Sequence, residues 1–152
     1  MLIGTENRRC SVNIAVKTAG QEYADTGVCC SPNPVYVSIC DDENNCISKM
    51  RFPEGTNFRK SSTRTFSESI DCFDISLSKI TLVKLEKQGK DRWYPEYVKI
   101  VVNNRKSFTC LINEWLEDST WSITEKACTE GNSFLAMLMV IKHIFNRVYY
   151  QL

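Results

Sequence analysis

The sequence has 152 residues, room for one domain. Hydrophobic residues make up 43% and charged residues 24%, which excludes a disordered chain, a collagen-like fibre and a coiled coil. Lys and Arg number 19 against 18 Asp and Glu, a formal net charge of +1, which argues against a binder of nucleic-acid backbones.

Val12, Ile14 and Val16 alternate with Ser11, Asn13 and Lys17, the pattern of a half-buried strand. Ser31-Pro32-Asn33-Pro34 cannot be helical, because each proline disfavours helix in the residue before it. Val35, Val37 and Ile39 then repeat the alternation. A polar turn at 41–45 leads to a weaker alternation over 47–52. Residues 80–85 are apolar enough for a central strand, and 87–91 form a charged loop. Val98, Ile100 and Val102 share one side of a strand over 97–102. Asn103-Asn104 tolerates positive φ and suits a tight hairpin into a strand over 107–112. A strand over 120–124 completes the set. About eight such strands, with no helical period before residue 130, predict an all-β antiparallel sandwich.

The tail differs. Residues 134–141 read FLAMLMVI, an apolar run far below the roughly 20 residues that span a bilayer. Asn132 or Ser133 suits a helix N-cap, and Lys142 and Arg147 fall where the helix dipole favours cations. A C-terminal helix packed on the sandwich, a helix lying on a membrane surface, and a segment foreign to the domain are the three readings. The expected division is an arm over 1–9, a sandwich over 10–130 and a tail over 131–152.

Eight cysteines stand at Cys10, Cys29, Cys30, Cys40, Cys46, Cys72, Cys110 and Cys128. No C-x-x-C pair occurs, and the one histidine, His143, lies in the tail, so the spacing does not suit zinc. An even, irregularly spaced set points to disulfides and an oxidising compartment, extracellular or endomembrane lumen. Met1-Leu2-Ile3-Gly4 is followed by Glu6, Arg8 and Arg9, which is no secretory leader.

Catalysis finds little support. A hydrolytic triad needs a base beside its nucleophile, and a lone tail histidine is a poor candidate. Asp41, Asp42, Glu43, Asp71, Asp74, Glu114, Glu117 and Asp118 offer many carboxylate pairs and no pattern. No cofactor is expected, with calcium as the one exception to consider. Asp41, Asp42 and Glu43 supply the hard oxygens calcium prefers, with Asp25 a second candidate, but the spacing is not that of an EF-hand and a solvated turn is the plainer reading. Cys40 and Cys46 bracket this turn, where a disulfide would brace the hairpin.

Lys87, Lys90 and Arg92 precede Trp93 and Tyr94. Cations beside an aromatic ring suit contact with an anionic lipid interface. Trp93, Trp115 and Trp121 are assigned to packing, Tyr94 and the cations to the surface. The basic run 59–64 is a solvated loop or an anionic-surface contact.

The order of features from Cys10 to Cys128 resembles a PLAT (lipoxygenase homology) domain. The residues that carry the likeness are Val12-Asn13-Ile14-Ala15-Val16-Lys17-Thr18, Val35-Tyr36-Val37-Ser38-Ile39, Asn57-Phe58-Arg59 with Thr65-Phe66, and above all Asp91-Arg92-Trp93-Tyr94-Pro95-Glu96-Tyr97-Val98-Lys99-Ile100. Phe108-Thr109-Cys110, Glu114-Trp115-Leu116 and Trp121 continue it. The spacing of Cys10, Cys72 and Cys128 is similar to that of small secreted plant members, of the embryo-specific and plant-stress types. Residues 21–34 and the tail after Glu130 depart from the pattern.

The resemblance implies a secreted, non-catalytic module that attaches to membrane lipid or to a membrane- or wall-associated protein. A carbohydrate- or protein-binding defence protein, and an accessory domain of a lipase- or lipoxygenase-like enzyme, remain as alternatives. It also implies neighbouring first and last strands, and so a Cys10–Cys128 bond beside Cys40–Cys46. Cys29, Cys30, Cys72 and Cys110 then pair in one of three ways.

Overall fold

A computed structural model of the protein describes residues 8–21, 24, 34–72, 75–89, 91–117, 121–131, 141–142 and 144–146. Eight strands follow in chain order: β1 (Arg9–Thr18), β2 (Val35–Asp41), β3 (Cys46–Arg51), β4 (Thr63–Asp71), β5 (Ile80–Gln88), β6 (Pro95–Val102), β7 (Lys106–Leu111) and β8 (Trp121–Glu130). All neighbours are antiparallel, in the order β3-β2-β5-β8-β7-β6-β1-β4.

β8 is where the sheet folds over. Its first part pairs with β5, from Gln88↔Trp121 to Leu82↔Ala127. Its last three residues pair with β7, from Cys110↔Cys128 to Phe108↔Glu130. One strand thus serves both layers of the sandwich, with three strands on one side of the switch and four on the other. Val12, Ile14 and Val16 of β1 and Val98, Ile100 and Val102 of β6 face Val35, Val37 and Ile39 of β2 and Val83 and Leu85 of β5 across the core. Every one of these sits at an alternate strand position, as a pleated ribbon with one buried face requires. Asn103 and Asn104 both adopt positive φ, 50° and 54°, in the β6–β7 turn.

The strand missing from the sequence reading is β4. Its inward positions are Arg64, Phe66, Glu68 and Ile70, of which only Phe66 and Ile70 are buried. An edge strand needs no more, and the Arg64 side chain turns its Nε to the Asn57 carbonyl at 2.6 Å.

β4 also corrects the expected Cys10–Cys128 bond. β1 lies between β6 and β4, while β8 lies between β5 and β7, so the first and last strands are not neighbours. Arg9 pairs with Asp71, which brings Cys72 beside Cys10, and these two are joined. Cys128 lies directly opposite Cys110 and bonds to it. Cys40 and Cys46 are opposite one another across β2–β3 and form the third bond. Each bond thus joins neighbouring strands. Cys29 and Cys30 lie outside the described residues, as do Asp25, Asp74, Lys90, Asp118, His143 and the apolar run 134–140. In the tail, residues 141–142 and 144–146 are helical, with Ile144 and Phe145 exposed. Among the described residues no helix is long and apolar enough to cross a membrane.

Candidate functional site

The register places the β1–β2, β3–β4, β5–β6 and β7–β8 loops at one end of the sandwich. Thr18 pairs with Pro95, Lys17 with Thr63, Val35 with Lys87 and Gln88 with Trp121. The β2–β3, β4–β5 and β6–β7 connections occupy the other end.

Trp93 ties the first end together. It is fully buried, its ring lies 4.8 Å from that of Phe58, and its indole Nε1 donates to Thr18 Oγ1 at 3.0 Å. Its amide donates to the Leu116 carbonyl at 3.1 Å, and the Leu116 amide donates back at 2.8 Å. Because Trp93 points inward, its neighbours Arg92 and Tyr94 are turned toward the surface. The Tyr94 amide donates to the Ala24 carbonyl at 2.9 Å, and its carbonyl accepts from the Ala19 amide at 3.0 Å.

Trp115, from the loop after β7, completes the cluster. The Arg92 guanidinium sits 4.7 Å from the centre of its ring, and Tyr94 meets it edge-to-face at 5.1 Å. Arg92 also reaches Glu117 at 4.0 Å, a loose pair with both groups exposed. Arg92, Trp115 and Tyr94 therefore form a continuous cation–aromatic strip on a loop end. Arg92 and Tyr94 were expected in such a surface. Trp115 was not, having been assigned to packing; its signal is its polar setting, Asn113-Glu114 before it and Glu117 after.

Lys87 does not belong to the strip. It is fully buried, and its Nζ donates to the carbonyls of Gly89, at 2.8 Å, and Asp91. β5 is a central strand, and Lys87 occupies the row of Val35 and Ser122, both buried. The lysine thus holds the β5–β6 loop from beneath, and Gly89 allows that loop its positive φ of 98°.

The acidic turn lies at the opposite end, and Asp41 serves it structurally. Its Oδ1 accepts from the amides of Glu43 and Asn45, both at 2.9 Å. Its Oδ2 accepts from the Ser76 amide at 3.0 Å and from Asn45 Nδ2 at 3.3 Å. With both oxygens so engaged, Asp41 caps the turn, in line with the plainer of the two readings of this loop. Asp42 pairs with Lys79 at 3.6 Å, and Glu43 is exposed. Among the described residues, no three His, Cys, Asp or Glu side chains are grouped to hold a metal.

The Ser76 amide, with those of Asn45 and Glu43, holds the Asp41 carboxyl below its ordinary value of 3.8, against the opposing effect of burial. A carboxyl lowered in the fold stabilises it above the unfolded pKa, and that contribution is lost as pH falls through the folded value. Urea midpoints should therefore fall with acidification below about pH 4. Asp41→Asn should lower the neutral midpoint and flatten that acid limb. An unchanged acid limb in the variant would contradict this role.

The end that holds Asp41 also carries a groove of about 640 Å³, with Arg8, Arg9, Arg105, Lys106, Ser76 and Ser78 in its wall. Lys106 is engaged there with the Ser78 carbonyl at 2.8 Å and Glu130 at 3.7 Å.

The comparisons with known proteins agree with this architecture. The chain is 29% identical over 114 residues to embryo-specific protein ATS3A of Arabidopsis thaliana, covering 74% of this chain and 59% of that protein. It is 25% identical over 128 residues to a phospholipase C of Clostridium haemolyticum, covering 80% of this chain and 31% of that one. The chain thus spans about three fifths and one third of the lengths of these relatives. A lipoxygenase (LOX) crystal structure superposes with a TM-score of 0.62 at 16% identity, over 79% of this chain and 16% of that chain, which shows the shared fold. Together they make this a PLAT-like domain. The model of embryo-specific protein 3 (ATS3) matches residues 2–128, and the chain belongs to that family.

Proposed function

We propose that this chain is a secreted, non-catalytic attachment module that docks on membrane lipid through the loop end bearing Arg92, Trp115 and Tyr94. The observation that carries the reading is the strip itself. Tyr and Trp rings prefer the headgroup level, where a guanidinium can meet anionic lipid. Trp93 and Lys87 hold the strip rigid from below, so little ordering entropy opposes docking. The clostridial relative is by its name a phospholipase, which agrees with a lipid-directed role for a shared domain. The three disulfides among the described residues fit an oxidising, extracellular setting. A membrane- or wall-associated protein could take the same strip.

Co-sedimentation with phosphatidylserine-containing liposomes tests this. Trp115→Ala is expected to weaken partitioning about tenfold, by loss of its buried ring. Arg92→Ala is expected to weaken it about fivefold, the worth of roughly 1 kcal/mol for one cation at an anionic surface. Arg105→Ala, at the opposite end, should change nothing. Absence of binding to any lipid, with and without Ca²⁺, would sink the reading; so would a loss confined to Arg105→Ala.

A further inference from the structure

β8 is inverted. Ser122 and Thr124 are buried, while Ile123 between them is 46% exposed. Ser122 can face inward because its hydroxyl donates to the Glu117 carbonyl at 2.6 Å. The consequence is an apolar stripe on the outside of the β3-β2-β5-β8 layer. Trp121 and Ile123 share that face by alternation, and Tyr36 joins them because its neighbours Val35 and Val37 are in the core. Arg51, Tyr36, Glu86 and Ile123 form one row across the four strands. Tyr36 and Trp121 stack at 6.1 Å, and the Lys49 ammonium lies 4.8 Å from the Trp121 ring.

Glu86 sits in the middle of this face, yet only 1% of it is exposed. Its Oε1 meets Lys84 Nζ at 3.2 Å, while Oε2 is buried without a hydrogen-bond partner. A buried carboxylate oxygen with no donor is costly and calls for one. Beside it opens a groove of about 260 Å³, whose wall includes Ser38, Ser48, Lys49, Lys84, Glu86 and Glu125. Two cations and two carboxylates in that wall balance, so neither an anion nor a cation is favoured. Paired donors and acceptors beside an aromatic surface suit a ligand with an apolar C–H face and ring hydroxyls. The Cys40–Cys46 bond braces the groove floor.

We propose that this outer sheet face is a binding site for a neutral oligosaccharide, with Trp121 and Tyr36 as the stacking platform and Glu86, Lys84 and Lys49 as hydroxyl partners. It is independent of the lipid-docking strip, which lies on the loops.

The test is an NMR titration of the ¹⁵N-labelled full chain, without lipid, with cellohexaose, xylohexaose, mannohexaose and laminarihexaose. At least one is expected to shift the Trp121 indole and Glu86 amide signals along one saturable curve. Trp121→Ala should weaken that binding about tenfold, as removal of a central aromatic anchor does. Trp121→Phe, which keeps a ring, should restore most of it, and its unaltered spectrum elsewhere reports the fold. Trp115→Ala should leave it unchanged, so failure of the membrane reading is read separately. The proposal is overturned if all four sugars leave the Trp121 indole unmoved, or if Trp121→Ala binds as tightly as the parent.

Discussion

Replacing Cys10 and Cys72 together with alanine should destabilise the protein by about 4 kcal/mol, the largest cost among the three observed disulfides. The bond closes a segment of 62 residues, against 18 for Cys110–Cys128 and 6 for Cys40–Cys46. In the chain-entropy account the restraint on the unfolded chain grows with the logarithm of that length, giving about 3 and about 2 kcal/mol for the shorter two. The location adds to the effect. β4 is an edge strand whose inward face buries only Phe66 and Ile70, so it depends on β1 and on this bond for its place. Urea denaturation of the three double variants measures the ranking. A larger loss for Cys40–Cys46 than for Cys10–Cys72 would contradict it.

Trp93→Ala should cost about 3–5 kcal/mol, the usual range for emptying a buried aromatic site. It also leaves the buried Thr18 hydroxyl without its indole donor. The effect should reach beyond stability. Trp93 links β1 to the β5–β6 and β7–β8 loops, and Arg92 and Tyr94 stand on either side of it. Under conditions where the variant is still folded, its liposome partitioning should therefore fall along with that of Trp115→Ala. Trp93→Phe should recover most of the packing and lose about 1 kcal/mol for the hydrogen bond. Full lipid binding by a folded Trp93→Ala variant would show that the strip does not depend on this anchor.

The strands with a dense apolar period were legible. Val12, Ile14 and Val16, or Val98, Ile100 and Val102, allow one orientation only, because slipping by one residue would expose all three. The Asn103-Asn104 hairpin was equally plain, since few residue pairs accept two positive φ values in succession. β4 was hidden because an edge strand can place Arg64 and Glu68 on its inward side without fully burying either. The partner of Cys10 was hidden for a different reason. Strand order is set by packing over the whole chain, and nothing near Cys10 or Cys72 encodes it.

The site was legible in part. Arg92 and Tyr94 follow from the inward turn of Trp93. Lys87 misled because a charged residue is ordinarily a surface residue, whereas here loop carbonyls satisfy its buried ammonium. Trp115 and Trp121 misled in the opposite sense, since large aromatics are ordinarily placed in packing. The inverted pattern Trp121-Ser122-Ile123-Thr124 was present in the sequence, but only the burial of Ser122 and Thr124 tells which face is out.

Quenching of tryptophan fluorescence by lipids brominated near the headgroup tests the docking strip most directly. Trp93 is buried and Trp121 lies on the outer sheet face, so a Trp121→Phe protein leaves Trp115 as the surface reporter. Anionic vesicles carrying such lipids should quench that protein's emission, and adding Trp115→Phe should abolish the quenching. Quenching that survives the loss of Trp115, or that appears only when Trp121 is present, would contradict docking through the Arg92–Trp115–Tyr94 end.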